Sequence, residues 1–233
     1  MLINIVSKNA LERTFCICAG NSMGTAFIVD YNNKNYLVTA KHLFQESGYQ
    51  NKMTIAIQYQ NTWKSISAEI YYHEKEDIDI AVIKTDYFEN RIFHGIKYKS
   101  TEITISQEVF MLGFPYGLST NQFDVNEGYP IPIVKKGIFS GALDKGDNQR
   151  YLIDWDNNQG FSGGPVIFRS IKKGAYSSEE YIAGVIHGYR QHEIKVFNED
   201  GSDTGLTANE NSGIGIMYKI ENVMEIIKKI EKN

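Results

Sequence analysis

Cysteine is nearly absent from this chain: Cys16 and Cys18 are its only two among 233 residues. They stand two apart in an apolar run. In a strand such residues share one face, and a disulfide closing so short a ring would be strained. No second cysteine cluster supplies the other ligands of a metal or redox centre, so the pair reads as reduced core thiols. A dominant charge sign is missing too. Lysine and arginine number 24 against 28 acids, a net charge of −4 with both signs interspersed. There is no basic stripe for nucleic acid and no polybasic segment for a membrane surface. No run approaches the ~18 apolar residues of a membrane helix. Residues 1–9 lack the basic and long apolar regions of a secretory signal. The expectation is therefore a cytoplasmic protein in a reducing compartment. Long linkers, low-complexity tracts and fixed-period repeats are absent as well. With 42% hydrophobic and 22% charged residues, the composition is that of a globular chain able to bury a sizeable core.

What is present is a series of short runs rich in Ile, Val, Tyr and Phe and punctuated by Gly, Asn and Asp. They cover 14–19, 24–29, 36–39, 53–59, 80–84 and 108–112, then 134–139, 151–155, 165–169 and 182–186. Many short strands separated by turn signals indicate an all-β sandwich or barrel, not βαβ units. Residues 30–34, Asp-Tyr-Asn-Asn-Lys, read as a hairpin loop. The clearest helix is the tail over 219–232, where Ile220, Val223, Met224, Ile227 and Ile230 form one apolar stripe. It is expected to dock on the second half of the fold. The polar stretch 190–212 reads as an extended loop, with a solvated hairpin insertion as the alternative.

The chemistry concentrates at Gly160-Phe161-Ser162-Gly163-Gly164-Pro165. Glycine adopts positive φ without steric cost, so this spacing asks for an unusual turn around one serine. A serine hydroxyl becomes a nucleophile when a base takes its proton and backbone N–H groups receive the oxyanion. Histidine is the natural base near neutral pH. Among His42, His73, His94, His187 and His192, His42 stands out because it follows the run Leu37-Val38-Thr39-Ala40-Lys41. The base needs a carboxylate partner in turn. Asp77-Ile78-Asp79 opens the apolar run Ile80-Ala81-Val82-Ile83, where an acid is costly unless it faces a donor. Asp79 and Asp77 both qualify.

Thr39-Ala40-Lys41-His42, Asp79-Ile80-Ala81-Val82 and the serine hexapeptide, in that order, resemble a trypsin/chymotrypsin-like serine protease. Leu112-Gly113-Phe114-Pro115-Tyr116-Gly117-Leu118 and Val134-Lys135-Lys136-Gly137-Ile138-Phe139-Ser140-Gly141 narrow the resemblance to the bacterial HtrA-type branch. Asp154 and Asn158 stand at that family's usual positions upstream of the serine. The resemblance spans about 24–219. It implies a single trypsin-like peptidase domain over 1–233, made of two six-stranded Greek-key β-barrels with a C-terminal α-helix. The first barrel, 1–100, would bring His and Asp, and the second, 101–233, would bring Ser.

Carried over residue by residue, Ser162 is the nucleophile, His42 the base and Asp79 its orienting acid. Asp77 is the second choice for the acid. The N–H groups of Gly160 and Ser162 form the oxyanion hole. The specificity pocket takes Asp156, Ile186, His187, Gly188 and Ile214, although Asp156 also reads as a loop acid. His73, His94, His187 and His192 lack metal-ligand spacing and read as surface or satisfied polar positions. The implied partner is a protein or peptide substrate, with an activating partner or an oligomer compatible with it, and neither metal nor organic cofactor. Phe161 departs from the digestive-trypsin pattern, which has an aspartate there that pairs with a freshly cut N-terminus. Activation by clipping is thus not expected, and the turn must be ordered by packing, substrate or a partner. No PDZ domain is expected after the tail helix. Two rival readings stay open, a protease-like peptide-binding module without turnover and an esterase-like acyl hydrolase.

Overall fold

A computed structural model describes residues 4–93, 95–120, 123–143, 150–171 and 178–232. The first half holds a short helix α1 (Lys8–Glu12) and strands β1 (Thr14–Ala19), β2 (Ser22–Tyr31), β3 (Lys34–Thr39), β4 (Lys52–Tyr59), β5 (Thr62–Tyr72) and β6 (Ala81–Lys84). These six strands close into a barrel in the order β1-β2-β3-β6-β5-β4. The second half holds β7 (Lys97–Tyr98), β8 (Glu108–Gly113), β9 (Ile133–Ala142), β10 (Arg150–Asp154), β11 (Pro165–Ile171), β12 (Ser178–Phe197), β13 (Asp203–Lys219) and the tail helix α2 (Ile220–Ile230). Its sheet runs β11-β8-β9-β10-β13-β12-β7, and β11 also pairs with β12. Six of these strands therefore pair in a ring, with β7 added in parallel at the edge. This is the two-barrel, chymotrypsin-like architecture that the sequence implied.

The unbroken apolar runs follow from burial on two faces. On β2, Ala26 and Ile28 fill the first barrel, while Phe27 and Val29 point the other way. β3 and β6 repeat this split with Leu37 and Ile83 inside, and Val38 and Val82 outside. The outward set meets Leu112, Ile167, Ile182 and Val185 of the second half, and α2 caps the same cluster with Ile220, Val223 and Ile227. A strand covered on both sides loses the in–out alternation of a solvated sheet. Val109, Met111, Ile153, Phe161, Val166 and Met217 fill the second barrel.

Three local features refine the sequence reading. α2 packs against β12 and β13 as expected but also against β6 of the first barrel, so it clamps both halves. The stretch 190–212 is largely a β-ribbon, the hairpin insertion of the two readings offered, in which residues 191–197 of β12 pair with 203–211 of β13 beyond the ring. α1, a single turn too short to leave a periodic pattern, is capped by Ser7, whose Oγ accepts from the amide of Ala10 at 3.2 Å. Among the described residues no helix is long and apolar enough to cross a membrane.

The two cysteines are unpaired on β1, Cys16 buried and Cys18 partly exposed. Burial, with a smaller contribution from neighbouring Cys18, pushes the Cys16 thiol up to about 12, and burial also raises Cys18. The thiolate is the reactive form. A disulfide-exchange reagent at pH 8 should therefore react slowly with the native chain, at Cys18 first, and reach Cys16 only on unfolding. Fast modification of both thiols in the folded protein would contradict this.

Candidate active site

His42 enters the site from a short 3₁₀ turn, Lys41–Phe44, at the end of β3. Leu43 and Phe44 are buried and fix that turn. Asp79 lies just before β6, between Ile78 and Ile80, which have no exposed surface. These anchors aim its carboxylate at His42 in two ways. Oδ1 accepts the backbone N–H of His42 at 2.7 Å, and Oδ2 lies 2.6 Å from His42 Nδ1. Asp77 is exposed, and its carbonyl accepts the Tyr218 hydroxyl at 2.5 Å. Of the two acids, then, Asp79 is the one in contact with His42.

A second histidine shares that carboxylate. His187 Nδ1 lies 2.5 Å from the same Oδ2. The reason is a bulge in β12. Ile186 pairs with Met217 and Gly188 with Ile216, which leaves His187 between them without a partner across the ladder. An extra residue of this kind re-aims its side chain. The ring turns in towards Asp79 and meets His42 edge-to-face at 5.9 Å and Tyr218 at 5.6 Å. The sequence reading of His187 as a pocket wall or satisfied polar residue missed this contact. The one available signal was an apolar strand running into histidine, the same signal that marked His42. Burial opposes ionisation of Asp79, but hydrogen bonds from His187 and His42 outweigh it and hold the carboxyl well below the usual range.

Ser162 sits in a turn that needs its glycines. Gly160 has φ +103°, and a Cβ there would come within 2.3 Å of the Phe114 carbonyl oxygen. Gly163 has φ +84°, and a Cβ there would lie 2.3 Å from the carbonyl oxygen of Thr25. The peptide orientations are set from outside the turn. Gln159 carbonyl accepts from Tyr116 N–H at 2.8 Å, and Phe161 carbonyl accepts from Gly164 N–H at 2.9 Å. Because a trans peptide points its N–H opposite its carbonyl, the N–H groups of Gly160 and Ser162 face the other way. Among the described residues neither amide has a hydrogen-bond acceptor. The Ser162 hydroxyl donates to the carbonyl of His187 at 3.1 Å, and no described hydrogen bond joins it to His42.

Thr25 of β2 ties this turn to the first barrel. Its Oγ1 donates to Gly160 carbonyl at 2.7 Å and accepts from Phe114 N–H at 3.1 Å. Its own N–H donates to Ser162 carbonyl at 3.0 Å. Phe161 holds the turn from the second barrel. It has no exposed surface and meets Trp155 edge-to-face at 5.0 Å. Packing thus occupies the place where a charged residue would need a partner. Neither Thr25 nor Trp155 carried a signal in the sequence.

The remaining candidates are dispersed. Asp156 is exposed, accepts from Asn211 Nδ2 at 3.0 Å and lies 3.7 Å from Lys135 Nζ. Lys135 also donates to Asn158 Oδ1 at 2.9 Å. Ile186 is buried in the second barrel, while Gly188 and Ile214 are half-buried. Asp154 is exposed at the end of β10. His73 is buried 3.4 Å from Glu225, and His192 is exposed on the ribbon. His94 lies outside the described residues. His42, Asp79 and His187 each offer one atom capable of holding a metal ion, and these atoms all lie within 4.8 Å of one another.

A model of the trypsin-like peptidase domain matches residues 24–171. No curated protein matches the sequence. Among solved structures, the fold is similar to a serine endoprotease from Yersinia pestis, with 19% identity, 98% of this chain and 68% of that chain covered, and a TM-score of 0.59. The HtrA-type protease AlgW with a tripeptide gives 18% identity and a TM-score of 0.58, covering 97% of this chain and 64% of that one. This chain therefore spans under two thirds of AlgW. The inactive form of Rv3671c from M. tuberculosis, in a serine-to-alanine mutant, gives 16% identity and a TM-score of 0.56, covering 96% of this chain and 89% of that one. At these identities the likeness concerns the fold.

Two substitutions test how the turn is held. Thr25→Val leaves a buried carbonyl and a buried N–H without their partner and should cost about 1–3 kcal/mol. Phe161→Ala should cost about 3–5 kcal/mol, as for other buried phenylalanines. Urea denaturation reads both, and a loss for Phe161→Ala below about 0.5 kcal/mol, the size of an ordinary surface change, would show that packing does not hold the turn.

Proposed function

This chain belongs to the trypsin-like peptidase family, and on that premise we propose that it is a serine endopeptidase using Ser162, His42 and Asp79. The observation that carries the reading is the doubly held His42, with Asp79 on its ring and on its amide, together with a serine turn that keeps two amides unengaged. Ser162 Oγ attacks the scissile carbonyl carbon as His42 Nε2 takes its proton. Asp79 keeps the other ring proton on Nδ1 and stabilises the imidazolium that forms. The N–H groups of Gly160 and Ser162 receive the oxyanion. Collapse expels the amine, which leaves with the proton from His42. Water then attacks the acyl-enzyme by the same base catalysis, releasing the acid and restoring Ser162.

To begin, the Ser162 hydroxyl must leave the His187 carbonyl and turn towards His42. Catalytic hydrogen bonds are often unmade until substrate arrives. Asp156 is drawn off by Lys135 and Asn211, so a basic residue at the cleaved position is not our reading. A small aliphatic residue beside Ile214 is. The hydroxyl's present bond to His187 favours one rival, a peptide-binding module that does not turn over.

A fluorophosphonate probe separates the two. Labelling that vanishes in Ser162→Ala supports the enzyme, and absence of labelling with or without substrate peptides favours the binder. In a peptide-library assay Asp79→Asn should lower kcat on the order of 10⁴-fold, because the base loses its required tautomer. A loss under about tenfold would remove Asp79 from the mechanism.

A further inference from the structure

The contact that the peptidase reading does not use is His187 on Asp79. Two imidazoles from different barrels aim Nδ1 at one carboxylate oxygen, at 2.6 and 2.5 Å. The histidines are 37% and 38% exposed, and Asp79 between them is mostly buried at 12%. Bonded in this way, each neutral ring carries its proton on Nδ1 and an open lone pair on Nε2. If each ring instead carries its proton on Nε2, both Nδ1 lone pairs face the carboxylate, and the protons that filled the centre are gone. Two nitrogens and one anionic oxygen then face one another, all within 4.8 Å.

We propose that His42 Nδ1, His187 Nδ1 and Asp79 Oδ2 form a zinc site whose occupation switches the protease off. The ligand set chooses the metal class. Calcium and magnesium take oxygen ligands, whereas two imidazoles and a carboxylate suit zinc, with a fourth position left for water. With bonds of about 2.0–2.2 Å in a tetrahedral site, neighbouring donors stand roughly 3.4 Å apart. Each nitrogen–oxygen gap must therefore open by roughly 0.8 Å. His187 lies at a bulge, outside the regular ladder, where such a shift leaves the paired residues on either side in place. An outer contact is already built, since the His42 amide holds Asp79 Oδ1 at 2.7 Å and orients the carboxylate.

The inhibitory consequence follows from the tautomer. With zinc on Nδ1, the single ring proton of His42 sits on Nε2, the atom that must accept the proton of Ser162. The base is occupied without any contact to the nucleophile. This half of the proposal rests on the serine-peptidase reading, while the metal site itself does not.

The test is calorimetric titration of the full chain with Zn²⁺, alongside the visible spectrum of the Co²⁺-loaded protein. One tight site per chain is expected, with a tetrahedral Co²⁺ spectrum. His187→Asn and His42→Asn should each weaken Zn²⁺ about 100-fold or more, since even outer-contact losses reach that size. His192→Asn, on the exposed ribbon, should bind as the unaltered chain does. Circular dichroism and thermal melting establish that each variant is folded. Unchanged affinity in folded His187→Asn, or no saturable binding at millimolar Zn²⁺, overturns the site. In parallel, Zn²⁺ should abolish turnover by the unaltered chain and a chelator should restore it. Full activity with the site saturated overturns the switch. Zinc binding that depends on His187 in a chain without turnover upholds the site and sinks the peptidase reading instead.

Discussion

Thr25 is the residue through which the two barrels agree on one geometry. It belongs to β2 of the first barrel, yet its side chain and backbone engage Gly160, Ser162 and Phe114 of the second. Its own carbonyl accepts the Thr39 hydroxyl at 2.7 Å, three residues before His42. One fully buried threonine thus fixes the serine turn relative to the strand that delivers the histidine. Each bond contributes only about 0.5–1.5 kcal/mol net, but the buried groups would cost more if left unpaired. β-branching narrows the threonine's rotamers, which suits a side chain that must serve two partners. The apolar cluster between the barrels, closed by α2, keeps these short distances from drifting.

The electrostatics of the site depend on that frame. Asp79 is a mostly buried carboxylate, and its ionisation is favoured because donors arrive from both halves of the molecule. His42 reaches it from the first barrel and His187 from the second. A buried charge of this kind is tolerable only when its partners are fixed, so the inter-barrel packing is a condition for the charge as well as for the geometry. Phe161 shows the complementary solution. Where an ionised group would have needed a partner, an aromatic ring is packed on Trp155, and the loop takes its order from close packing.

Legibility in the sequence varied with the physical origin of each feature. β2, β3 and β6 were readable because burial on both faces gives unbroken apolar runs. The stripe of α2 was readable because one side of it is buried, although its reach to β6 was not. The ribbon of β12 and β13 read as either a loop or a solvated hairpin because it is held by backbone hydrogen bonds and exposes both faces. α1 is a single turn and has no room for a period. His42, Asp79 and Ser162 stood out because each sits in a local pattern, a strand ending in histidine, an acid entering an apolar run and a serine among glycines.

The sequence by itself determined the strand-rich class, the placing of these three residues on separate elements and the demand for positive φ around Ser162. These are local consequences of side-chain size, polarity and backbone freedom. Only the tertiary structure decided that Asp79 and not Asp77 meets His42, that Thr25 and Phe161 hold the serine turn, and that His187 shares the carboxylate. Those outcomes depend on barrel closure, on the register across the inter-barrel interface and on a one-residue bulge in β12. A bulge shifts which side chain faces inward by one position, and no local pattern in the chain records where the partner strand forces that shift.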